Sequence, residues 1–304
     1  MHADAGQDLS DVLAEVRRID IQTRRLVTGV MAGGYLSVFR GAGIEFDTVR
    51  EYVDGDDPRA LDYKVTARMG RPYVKTHVDE RELTVLFLLD LSASMGAGLG
   101  AWSARQTAAR VCACLALSAA RNGDKVGLVA FSEGVDAYVP PRKGARHAWR
   151  VVRDCLALPP RGQRTSMAPA LKLISRAGRR HAIVFLVSDF LTDGWQRALG
   201  PCAQRHDVIA VRLLAPELTH PPAALWRVRD PETGAQQGLD LARPRVRAAY
   251  ARRVGVWRAQ TERDLQRLRV DRMDVPLPAQ RSAEHIAAPI LKFFRMRQLR
   301  GRKR

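Results

Sequence analysis

Cysteine is scarce in this chain, with four residues in 304. Cys112, Cys114, Cys155 and Cys202 include no C-x-x-C pair, which argues against a zinc ribbon or a disulfide framework and for reduced, partly buried thiols. Histidine is also sparse, seven residues scattered without metal-ligand spacing. No apolar run approaches the roughly 20 residues that a membrane-spanning helix needs. The N-terminal stretch MHADAGQDLSD lacks the apolar core of a secretory signal. Together these point to a cytoplasmic protein without a transmembrane segment.

Apolar residues make up 46% and charged residues 27%, an ordinary globular balance with ample length for a closed core. Acidic residues are outnumbered 32 to 50, a net charge of +18. The imbalance is local. Residues 241–304 carry 18 Lys and Arg against 5 Asp and Glu, or +13, which leaves +5 for the rest. A basic end of this kind meets nucleic acid, anionic membrane or an acidic protein surface, or is simply a set of solvated Arg-rich helices. The last ten residues, six of them basic, are expected to fray.

Hydrophobic periodicity divides the chain in two. Residues 1–79 read as a helix over 9–29 followed by a Gly- and Asp-rich segment of turns and short extended pieces. From residue 80 the rhythm changes. Continuous apolar runs at 83–89, 126–131, 182–187 and 208–214 are strands buried on both faces, with an edge strand at 136–139. Helical stretches at 101–121, 145–157, 167–178 and 194–204 alternate with them. This is an α/β pattern: a doubly wound, mainly parallel sheet over 80–304. A hairpin is inserted at about 216–242, turning at the PETG of residues 231–234. A basic helix near 245–268, a strand at 270–275 and a last helix opening at Pro289 follow.

The densest chemistry lies at Asp90-Leu91-Ser92-Ala93-Ser94-Met95, directly after the strongest buried strand and before a helix. Ligands of open parallel sheets bind at the carboxyl ends of strands. A carboxylate and two hydroxyls there are hard oxygen donors, suited to Mg²⁺ or Mn²⁺ and not to zinc. The alternative is that Asp90 and Ser92 merely cap the following helix. The D-x-S-x-S spacing resembles the metal-ion-dependent adhesion site (MIDAS) of von Willebrand factor A domains. The two further pieces of that site follow in order: Thr165, opening a helix after a Gly-containing loop, and Asp189, ending the next buried strand. The resemblance implies Ser92, Ser94 and Thr165 as inner ligands of Mg²⁺, with Mn²⁺ or Ca²⁺ as alternatives. Asp90 and Asp189 would be charged supports, and a partner's acidic side chain would complete the ion. Gln163-Arg164 stands before Thr165 where glycines are common, which leaves Thr165 and Ser166 as rival ligands.

A second string, Gly41-Ala42-Gly43-Ile44-Glu45-Phe46, Arg50-Glu51-Tyr52, Gly55-Asp56-Asp57-Pro58-Arg59, Asp62-Tyr63 and Ala67-Arg68, resembles the bacterial family called domain of unknown function 58. Tyr63 stands where that family usually has Trp. The likeness continues through Asp230-Pro231-Glu232-Thr233-Gly234 to Phe293-Phe294 and Arg297. It implies an adaptor or co-chaperone of a MoxR-type AAA+ ATPase and its client proteins. On physical grounds Asp56, Asp57, Arg59, Asp62 and Arg68 would form ion pairs that dock residues 33–80 on the sheet domain, or else a partner-binding surface.

Enzymatic readings find little support. A dehalogenase-type phosphatase needs an acid where Ser92 stands. The serines lie outside any G-x-S-x-G, and the glycines at 96–100 lack the lysine of a phosphate loop; they read as a mobile loop beside the metal. The expectation is a non-enzymatic, metal-dependent interaction module. The alternative is a binder of nucleic acid or anionic membrane through the Arg-rich C-terminus. Deleting residues 298–304 would separate the two, since only the second depends on them.

Overall fold

The computed structural model of the chain describes residues 49–53, 56–58, 61–75, 83–159, 161–177, 181–282 and 284–301. The expected helix at 9–29 and the glycines at 41–46 lie outside them. Ahead of the main sheet, β1 (Val49–Glu51), α1 (Tyr63–Met69) and β2 (Tyr73–Lys75) form a small unit in which β1 and β2 pair antiparallel. Two of its acids organise it from within. Asp56 grips the Arg50 guanidinium through both oxygens at 2.6 Å, and Asp62 caps α1 by accepting the N–H groups of Lys64 and Val65. These contacts of Asp56 and Asp62 lie inside the segment. Arg59 is not among the described residues.

The main sheet has six strands: β3 (Thr84–Asp90), β4 (Lys125–Phe131), β5 (Val135–Arg142), β6 (Ile183–Ser188), β7 (Asp207–Leu214) and β10 (Asp271–Pro276). Their spatial order is β10-β7-β6-β3-β4-β5, parallel throughout except at the β4–β5 hairpin. The fold class is thus the expected one. The edge strand runs longer than 136–139 and carries Pro140 and Pro141, residues that only an edge tolerates.

Alternation sorts each buried strand between two cores. Val85, Phe87 and Leu89 face one layer with α2 (Ala104–Arg121), α3 (Ala145–Ala157) and α8 (Glu284–Gly301). Leu86 and Leu88 face the other, with α4 (Ala168–Ala177), α5 (Trp195–Arg205) and part of α7 (Pro244–Arg267). Phe87 stacks on Phe185 of β6 at 5.6 Å between ring centres. Each side chain so buried is worth about 1.5–3 kcal/mol, which is why continuous apolar runs become central strands. The small residues of α2, among them Ala108, Ala109, Ala113 and Ala116, are fully buried. A capping box between Ser103 and Gln106 starts that helix. All four cysteines are buried thiols outside any disulfide.

After β7, the single turn α6 (Pro216–Thr219) leads to the antiparallel hairpin of β8 (Leu225–Arg229) and β9 (Gln236–Asp240), as expected. Two expectations at the C-terminus need correction. The last helix begins at Glu284, with Pro289 inside it. Nor does it fray at residue 295: Arg297 pairs with Asp207 and Asp271, and Arg300 with Asp271, so the helix runs to Gly301. The glycine segment at 96–100 is likewise tied down. The Ala101 N–H donates to the Pro278 carbonyl at 2.8 Å and the Leu99 N–H to Glu217 at 3.1 Å. A Cβ on Gly100 would stand 2.8 Å from that same carbonyl.

Candidate metal centre

The chain leaves β3 toward β4 and β5 on one side, then returns to β6 on the other side of β3. Between β3 and β6 the winding reverses, and the carboxyl edge at such a reversal is where open α/β sheets form a crevice. Asp90 ends β3 there and Asp189 follows β6 directly.

Both carboxylates are buried. Asp90 accepts the Ser92 N–H at 2.9 Å on one oxygen and the Ser188 hydroxyl at 2.7 Å on the other. Ser92 and Ser94 Oγ lie 3.1 Å apart. Asp189 accepts the Leu191 N–H at 3.0 Å and a hydrogen bond from the Ser94 side chain. Burial pushes the Asp90 carboxyl up to about 6, and the neighbouring Asp189 charge adds to it; hydrogen bonds from Ser188 and Ser92 oppose the shift. Burial also raises Asp189, with a smaller push from Glu232.

The backbone bends sharply just past Asp189. Phe190 has φ +59, uncommon for a bulky residue. Its N–H reaches Ser188 Oγ at 3.1 Å, its carbonyl accepts Trp257 Nε1 at 3.1 Å, and its ring meets Trp195 edge-on at 5.5 Å. Packing over-determines the strained residue, as it does at many sites that hold ligands.

Thr165 arrives on the loop before α4. That loop is held by Gly162 N–H to Ser132 Oγ at 3.0 Å, Ser166 N–H to the Ser132 carbonyl at 2.7 Å and Arg164 N–H to Glu133 at 3.1 Å. Ala93 N–H donates to the Gln163 carbonyl, and Thr192 Oγ1 to the Thr165 carbonyl, joining the loop to both strand ends. The structure thus gathers Asp90, Ser92, Ser94 and Asp189 into one hydrogen-bonded cluster. Thr165, on the loop joined to both strand ends, bonds to Glu232 and Thr192 and not to these four.

The Thr165 hydroxyl instead donates to Glu232 Oε1 at 2.6 Å, across from Asp189. Reading the sequence placed Glu232 in a hairpin turn and gave it no role at the site. Residues 67 apart leave no local pattern to find. Ser188, the partner of Asp90, was also missed, although its place at the end of β6 marks it.

The donors are two carboxylates and three hydroxyls, the hard oxygen set that Mg²⁺ or Ca²⁺ prefers. Among the described residues no Lys or Arg pairs with Asp90 or Asp189, so two buried negative charges stand together without a counter-cation. Among the described residues no group of three or more His, Cys, Asp or Glu forms a metal cage. By donor chemistry, two carboxylates and three hydroxyls fit a divalent ion.

Strand order and the winding reversal define an open α/β protein that carries this oxygen-rich cluster at the carboxyl edge of its sheet. The chain belongs to the family described as Protein of unknown function DUF58, whose model matches residues 48–260. A Mycobacterium tuberculosis relative, Uncharacterized protein Rv1480, is 28% identical over 297 residues, covering 96% of this chain and 92% of that protein. Uncharacterized protein MAV169 of Mycobacterium avium is 30% identical over 165 residues, covering 53% of this chain and 94% of its own. Among solved structures, the conserved hypothetical protein BatB of Bacteroides thetaiotaomicron is similar at 18% identity and TM-score 0.41, over 70% of this chain and 99% of that one. The SpRpn10 VWA domain is similar at 8% identity and TM-score 0.37, over 69% and 94%.

Proposed function

We propose that this chain is a von Willebrand factor A-type protein-interaction module that uses a divalent cation to hold an acidic side chain of its partner. It would serve in the cytoplasm as adaptor or co-chaperone of a MoxR-type AAA+ ATPase and its clients. The observation that carries the reading is the pair Asp90 and Asp189, buried together at the winding reversal among hydroxyls, with no Lys or Arg paired to either among the described residues. When bound, Mg²⁺, or Mn²⁺ or Ca²⁺ in its place, supplies an electron-poor centre that takes up a carboxylate. Ser92, Ser94 and Thr165 would hold it, with Asp90 and Asp189 supplying charge.

The hydroxyls bond to one another and to carboxylates, an arrangement we read as ligand-holding and non-enzymatic. Among the described residues no helix is long and apolar enough to cross a membrane. The rival reading, nucleic acid or anionic membrane bound through the basic C-terminus, loses ground because Arg297 and Arg300 are engaged by Asp207 and Asp271.

The test is capture of the ATPase by the immobilised full chain with Mg²⁺ and with a chelator, repeated on Asp90→Ala. Capture should need both the ion and Asp90. Equal capture in every lane would overturn the reading.

A further inference from the structure

The hairpin of β8 and β9 is exposed along most of both strands, and Leu225 is 75% exposed. Burial therefore gives no reason for its position. Its turn does. Asp230 accepts the N–H of Glu232 at 2.9 Å and of Thr233 at 3.4 Å, and takes the Thr233 hydroxyl at 2.6 Å on its other oxygen. The Gly234 N–H returns to the Asp230 carbonyl at 2.8 Å, with Gly234 at φ +74, a conformation suited to glycine. A turn so pinned fixes where Glu232 points, and it points at Thr165 Oγ1, 2.6 Å away. Its charge is felt at Asp189.

We propose that Glu232 is a built-in carboxylate of this metal centre: the hairpin tip occupies the place that a partner's acidic side chain would take, and the partner gains the site by displacing it. The inference rests on the metal-centre reading above. A further acid brought within reach of buried Asp189 is repelled, and a cation shared between them would turn that repulsion into attraction. The one neutral hydroxyl it meets offsets only part of that cost. The hairpin is well made for exchange. Its base is secured, with the Leu241 N–H on the Ala224 carbonyl at 3.0 Å and Leu241 buried. Among the described residues the tip meets Thr165 through one hydrogen bond, so it can leave without disturbing the sheet.

The experiment uses the full chain and Mn²⁺ as probe, following affinity and water-proton relaxation in the wild type, Glu232→Gln, Glu232→Ala and Asp90→Asn, with sodium acetate as a free carboxylate. In both Glu232 variants Mn²⁺ affinity should fall about tenfold. Their bound ion should gain an exchangeable water, seen as higher relaxivity. Acetate should quench that gain in the variants and leave the wild type unchanged. Identical affinity, relaxivity and acetate response in the wild type and Glu232→Ala, with Mn²⁺ lost only in Asp90→Asn, would sink the role of Glu232 and spare the centre. Wild-type behaviour of Glu232→Gln beside an altered Glu232→Ala would show that bulk, not charge, matters, and would also overturn it. Mn²⁺ binding no tighter to the wild type than to Asp90→Asn would remove the centre itself and this inference with it. Thermal midpoints of the four proteins guard against misfolding.

Discussion

Asp90 and Asp189 are held by N–H and O–H donors at the ends of neighbouring strands, an arrangement that orients charge without neutralising it. The consequence is a measurable cost. The folded carboxyl of Asp90 sits at about 6, against about 4 in an unfolded chain. Between those values the folded state binds the proton more tightly, so the penalty is absent below about pH 4 and complete above about pH 6. Without metal, stability should fall as pH rises through that window. Asp90→Asn should flatten the fall and stabilise the chain at neutral pH by on the order of 2 kcal/mol. Mg²⁺ should reverse the ranking, raising the urea midpoint of the wild type and leaving the variant unmoved. A variant less stable than the wild type in chelator would mean that Asp90 is serving only as a local cap. At this scale the sequence is informative where the donors share one motif, as Asp90, Ser92 and Ser94 do. It is silent on Glu232, whose partner Thr165 is brought near only by folding.

Elements were legible wherever burial is two-sided. Residues 83–89 and 182–187 read as strands because nothing polar interrupts them, and β3 and β6 follow those limits within a residue. The start of α8 was not legible, since Pro289 looks like a first turn and yet lies inside a helix beginning at Glu284. The buried arginine of β7 was also invisible, because its acid belongs to a strand 62 residues later. Arg212 is 1% exposed and holds Asp274 of β10 through two bonds of 2.9 Å. Its guanidinium lies 5.8 Å from the Trp257 ring of α7. Asp274→Ala would strand that charge in the core and should cost about 3 kcal/mol. Denaturant unfolding checks this, and a loss below about 1 kcal/mol would show that water or Glu262 takes over.

For the molecule as a whole, periodicity identifies a doubly wound sheet but not the order of its strands, because parallel buried strands look alike in sequence. The order matters here, since it sets Asp90 and Asp189 side by side. The net charge of +18 was likewise readable, while the pairing of α8 arginines with Asp207 of β7 and Asp271 of β10 was not. That helix and β10 have a practical implication for anyone trimming the protein. The family match stops at residue 260, yet the sheet continues to β10 and one core face is covered by Ile286, Ile290, Phe293 and Phe294. A fragment ending at 260 would bare the rim of β7 and a greasy cleft over β3 and α2, the kind of surface that drives strand-to-strand clumping. It should emerge as aggregate in size-exclusion chromatography, and the 304-residue chain should not; a soluble, well-folded fragment would refute this. The stretch that defines the family is therefore shorter than the piece expected to stand alone.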